Sequence, residues 1–86
     1  MHEMSVAMEI CRIAGERLSP DDLALLSEVG VEVGDTSGLE PSSLEFCLEA
    51  LLSEPPFRGA RANIIAGAGD VLRVNYLEVD DERPRH

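Results

Sequence analysis

The first two residues bring three nitrogen donors together within one short stretch of chain. With Met1 as the chain end, its α-amine, the amide nitrogen of His2 and the His2 imidazole form adjacent chelate rings on one metal ion. Met1 is expected to be retained, because an initiator methionine is usually removed only when a small residue follows. Nitrogen donors in a plane suit Ni(II) or Cu(II). The amide of Glu3, its carboxylate or a carboxylate from elsewhere would complete the set. The alternative is that His2 is simply a polar residue at an exposed chain end.

Catalytic chemistry finds little support in the residue types. The two histidines are His2 and His86, there is no lysine, and no glycine-rich stretch has the spacing of a nucleotide phosphate loop. A serine–histidine–acid triad would need a histidine held rigidly at an extreme end of the chain. We therefore predict no catalytic residues and no enzyme activity. Cys11 and Cys47 have no cysteine neighbour at CxxC spacing, so we expect them to be reduced, structural thiols.

Composition narrows the class of protein further. The chain has 86 residues, a formal net charge of −10 and 44% hydrophobic residues, which is enough for one small domain with one core. Such an acidic surface repels phosphate backbones and anionic lipids, which argues against nucleic-acid and membrane partners. There is no apolar run of the roughly 20 residues that span a bilayer, and no basic, apolar leader. We expect a soluble, cytoplasmic protein.

Hydrophobic periodicity predicts the elements that would position the amino-terminal donors. A helical pattern runs from Glu3 to Leu18, and Pro20 is expected to end that helix. Alternating valines within residues 23–34 predict a strand with one face on the core. A second helix is expected to start at Pro41, with Glu40 at or beside its first residue, where the helix dipole favours a carboxylate.

The rest of the chain predicts a hairpin. The pattern indicates a strand over residues 61–66, a turn over 67–70 and a returning strand over 71–79. The returning strand changes phase, which a bulge near Asn75 or burial on both faces would explain. The order is α-β-α-β-β, so we predict an α+β fold with two helices packed on one face of a three-stranded sheet. Residues 1–80 form one domain in this interpretation, and residues 81–86 form a flexible tail.

Six segments carry a resemblance that covers nearly the whole chain in order: Met1–Val6, Val29–Pro41, Leu44–Phe46, Gly59–Ile64, Leu72–Val74 and Leu77–Val79. Together they resemble the HypA/HybF family, the nickel metallochaperones of [NiFe]-hydrogenase maturation, whose members begin Met-His-Glu-Leu/Met-Ser. The fold of that family, two helices on a three-stranded sheet, agrees with the order predicted from periodicity.

The resemblance implies a nickel site and partners. Met1 would supply the amine, His2 the imidazole, and backbone amides and Glu3 the rest, while Glu40 matches an acidic residue linked to the nickel site. The implied cargo is Ni(II), and the implied partners are a HypB-like GTPase and a nickel enzyme precursor.

The resemblance also exposes a departure from the family pattern. Family members carry a zinc subdomain with two CxxC pairs between the second and third strands. Here Ile65–Val71 connects the two strands directly, without such a subdomain. We therefore predict no structural zinc.

Three hypotheses follow for function. The chain is a minimal, zinc-free nickel metallochaperone, or an interaction adaptor of HypA-like fold whose metal site is idle, or, least favoured, an enzyme. Stoichiometric Ni(II) binding that is lost in His2→Ala would separate the first from the second. The oligomeric state stays open, although an exposed sheet edge offers a place for a second chain to pair.

Overall fold

Six elements follow one another in the computed structural model, which describes residues 3–80. The predicted tail and the first two residues lie outside this range. The elements are α1 (Glu3–Arg17), α2 (Pro20–Leu25), β1 (Leu26–Gly34), α3 (Pro41–Leu52), β2 (Arg61–Gly67) and β3 (Leu72–Val79). The α+β class and the predicted order are confirmed, with one short helix added.

The sequence pattern does not reveal the added helix, α2, because it begins at Pro20, only three positions after the last residue of α1. Pro20 was expected only to end the first helix, but it also occupies the first turn of α2. The Ser19 hydroxyl accepts a hydrogen bond from the Asp22 N–H at 3.2 Å, and acidic residues fill the first turn. A capping serine, a proline and two acids are the signals of a helix start.

The order of strands corrects the expected hairpin. The sheet runs β2-β1-β3, with β1 parallel to β2 and antiparallel to β3. The second and third strands are therefore not paired with each other but lie on the two sides of β1. The physical reason is burial: β1 carries three of the four buried valines, Val29, Val31 and Val33, so it takes the central position. The other two strands are amphipathic, which suits edges.

A short link carries the chain from one edge of the sheet to the other around the end of β1. The N–H of Gly34 donates to the Val71 carbonyl at 2.7 Å, and the N–H of Thr36 donates to the Gly69 carbonyl at 2.8 Å. The Gly69 N–H in turn donates to the Asp35 carboxylate at 2.9 Å. Gly69 has a φ of 71°, a conformation that glycine adopts without strain.

The expected bulge lies at Asn75. Gly30 pairs with Tyr76 and the next residue, Val31, pairs with Val74, so Asn75 has no partner on β1. The bulge shifts the side-chain alternation by one residue, which explains the change of phase in β3.

Helices α1 and α3 pack against one another and on the valine face of the sheet. The core is built from aliphatic side chains and one phenylalanine; its fully buried leucines are Leu44, Leu48 and Leu52. The opposite face of the sheet is polar, with the Tyr76 hydroxyl donating to Glu28 and accepting from Asn63. Both large helices therefore lie on one side, as predicted.

Candidate functional site

Two of the four residues predicted to hold metal fall within the described part of the chain. Glu3 is the first residue of α1, and Glu40 directly precedes α3. Met1 and His2 lie outside residues 3–80, and their predicted roles remain predictions.

Glu40 is the N-cap of α3, which confirms its expected position at the helix start. Its Oε2 accepts hydrogen bonds from the Ser43 N–H and from the Ser42 hydroxyl, both at 2.7 Å. Pro41, which lacks an N–H, fills the first turn. The hydroxyl of Ser42 and the backbone of Ser43 lower the pKa of Glu40 to about 2. Glu40 is therefore an anion throughout the physiological pH range.

The structure brings Glu3 to Glu40 across 37 positions of sequence. The Oε2 atom of Glu3 accepts a hydrogen bond from the backbone N–H of Glu40 at 3.0 Å. This bond, above all, lowers the pKa of Glu3. The start of α1 and the start of α3 therefore meet, and two carboxylates lie at their junction.

The junction has an electrostatic consequence for any cation. Both helices begin there, and the partial positive charge of a helix amino terminus disfavours a cation. Glu3 and Glu40 place two negative charges at the same end of the helices, which offsets this effect. A divalent cation is thus tolerated at the junction more readily than at an uncompensated pair of helix starts.

The remaining candidate ligands do not form a site of their own. Within residues 3–80, no group of three or more histidine, cysteine, aspartate or glutamate side chains is arranged to hold a metal ion. Cys11 and Cys47 are free thiols, each half-buried, and burial raises the pKa of Cys11.

A second feature, which the sequence did not reveal, is an apolar groove between α1 and β3. It has a volume of about 330 Å³, and its apolar lining is Val6, Ile10, Ile13, Val31, Leu72 and Val74. The expected hairpin did not predict this groove, because pairing β3 with β2 does not place β3 beside α1.

The helices of residues 3–80 are all too short or too polar to span a bilayer.

Comparison with known proteins identifies the family. A sequence model described as "Hydrogenase/urease nickel incorporation, metallochaperone, hypA" matches residues 1–72. No solved structure matches the chain.

Similar relatives carry the name hydrogenase maturation factor HypA. The protein from Albidiferax ferrireducens is 33% identical over 69 residues, covering 80% of this chain and 61% of the relative. That from Desulfatibacillum aliphaticivorans is 36% identical, covering 74% and 50%. That from Geobacter metallireducens is 36% identical, covering 81% and 63%.

The chain spans about half to three-fifths of the length of these relatives. Since the match covers residues 1–72 and the relatives align with most of the chain, the protein belongs to the HypA family of nickel-incorporation metallochaperones.

Proposed function

We propose that the protein binds Ni(II) at its amino-terminal segment and transfers it to a partner during maturation of a nickel enzyme such as [NiFe]-hydrogenase. The observation that carries the proposal is the bond between Glu3 and the Glu40 N–H. It fixes the residue next to His2 beside a second carboxylate. Family membership supports nickel as the cargo.

The donors in this proposal are the α-amine of Met1, the amide nitrogen of His2 and the His2 imidazole. A backbone amide, the Glu3 carboxylate or the Glu40 carboxylate completes the set. Each nitrogen must lose or lack a proton before it binds metal, so affinity rises with pH. Planar nitrogen donors favour Ni(II) and Cu(II) over metals that prefer oxygen ligands.

The surroundings suit transfer more than permanent storage. Glu40 is exposed and Glu3 is only partly buried, so a partner's ligands have access to a metal held there. The partner we propose is a HypB-like GTPase or a nickel enzyme precursor in the cytoplasm, and the protein itself performs no catalysis. That it holds no structural zinc also stays a prediction.

A calorimetric Ni(II) titration of the protein with Met1 as its first residue tests the proposal. We expect one equivalent to bind, and we expect binding to be lost in His2→Ala. Adding a tag of several residues before Met1 should weaken binding, because the chain-end amine is then no longer next to His2. Undiminished binding in His2→Ala would contradict the proposed site. No binding in the unmodified protein would favour an adaptor role, for which the apolar groove is the available surface.

A further inference from the structure

We infer that the Glu3 carboxylate is a positioning residue that ties the amino-terminal segment to α3, and that it is not itself a nickel ligand. This inference rests on the proposed function and resolves one of the alternatives left there. It follows from the hydrogen bonds at the start of α3.

The start of α3 is a capping box divided between two helices. In a capping box the N-cap side chain accepts from the N–H of the third helical residue, and the side chain of that third residue accepts from the N–H of the N-cap. Glu40 provides the first half, because its Oε2 accepts from the Ser43 N–H at 2.7 Å. The second half ordinarily needs glutamate or glutamine at the third position, and here that residue is Ser43.

Glu3 supplies the missing half from another helix. Its Oε2 accepts the Glu40 N–H at 3.0 Å, which is the bond that the third-position side chain would otherwise make. The contact joins residues that are 37 positions apart, so it fixes where the first residues of α1 lie relative to α3. Moving Oε2 onto a metal ion would release the Glu40 N–H and undo the box, which leaves only Oε1 of this carboxylate able to reach a metal ion.

If Glu3 is a positioning residue, the length of its side chain decides whether the bond to the Glu40 N–H forms, and its charge matters less. Glutamine has the same length, and its carbonyl oxygen can accept the Glu40 N–H. Aspartate keeps the charge but is one methylene shorter, which takes its oxygen beyond hydrogen-bond distance of that N–H. A nickel ligand would behave differently, because an amide oxygen is a poor replacement for a carboxylate.

The experiment compares Glu3→Gln, Glu3→Asp and Glu3→Ala with the unmodified chain. The control is Glu45→Gln, which removes one exposed negative charge from the first part of α3 without touching the junction. The first readout, taken without metal, is the amide proton chemical shift of Glu40. The second is the Ni(II) dissociation constant from calorimetry.

We expect Glu3→Gln and the control to keep the Glu40 amide shift near its original value and to bind Ni(II) within about threefold of it. We expect Glu3→Asp and Glu3→Ala to move that shift upfield and to weaken binding by about tenfold or more, the usual effect of losing a residue that orients a metal ligand.

Two results would overturn the inference. One is Glu3→Asp binding like the unmodified chain while Glu3→Gln binds as weakly as Glu3→Ala, which identifies a carboxylate ligand. The other is a Glu40 amide shift that Glu3→Ala leaves unchanged. Absence of nickel binding in the unmodified chain would instead refute the proposed function, while the amide shift would still decide whether Glu3 holds Glu40.

Discussion

Gly34 is the position at which a single methyl group should do most damage to the link between β2 and β3. A Cβ atom added there would lie 2.1 Å from the carbonyl oxygen of Gly69 and 2.7 Å from the amide nitrogen of Val71. Both contacts are with backbone atoms, so no side chain can turn aside to relieve them. The link itself must move away from the end of β1.

The expected loss of stability follows from what that movement breaks. Overpacking costs about 1–3 kcal/mol. The displaced link also carries the bonds from Gly34 to Val71 and from Thr36 to Gly69, each worth about 1 kcal/mol. We expect Gly34→Ala to lower the free energy of unfolding by about 3–5 kcal/mol. A domain of this size has only about 4–13 kcal/mol in total.

Urea denaturation followed by circular dichroism measures this change, and Gly15→Ala is its matched control. Gly15 is exposed in α1, and an added Cβ meets nothing within 4 Å. Since alanine is the better helix former, the control should gain about 0.5–1 kcal/mol. If Gly34→Ala unfolds at the same urea concentration as the unmodified chain, the link between β2 and β3 does not pack closely against Gly34.

Two further predictions concern stability. Gly30→Ala should destabilise the protein by about 1–3 kcal/mol in the same denaturation assay, because the new Cβ would collide with the Tyr76 ring at Cε2. Unchanged stability would mean that this ring does not pack over Gly30. The pKa of Glu40 is lowered from 4.5 to about 2 on folding, so its contribution to stability is present above about pH 4.5 and is lost as pH falls toward 2. Thermal melts of the unmodified chain and Glu40→Gln should therefore differ at pH 7 and converge as pH approaches 2, and a difference independent of pH would contradict the cap.

Local features of the fold were predictable because they depend on residues close in sequence. The position of Glu40 followed from Pro41, which belongs in a first helical turn. The bulge at Asn75 was visible as a change of phase within one strand. Both are properties of a single element.

Features that join distant elements were not predictable in the same way. The pattern of β2 and β3 gives each an apolar face but does not say which strand each pairs with, so the glycine-rich link was interpreted as a hairpin turn. It is instead a crossing that depends on bonds to Gly34 and Thr36. The contact between Glu3 and the Glu40 N–H has no local signature either, because Ser43 leaves the capping box incomplete and the partner lies in another helix.

Comparing the two histidines tests the central claim most directly. His2 and His86 are the only histidines in the sequence, so His2→Ala and His86→Ala remove the same chemical group from opposite ends of the chain. In calorimetric titrations we predict that the unmodified chain and His86→Ala each bind one equivalent of Ni(II), and that His2→Ala binds none. Equal nickel binding by the two variants would contradict an amino-terminal nickel site.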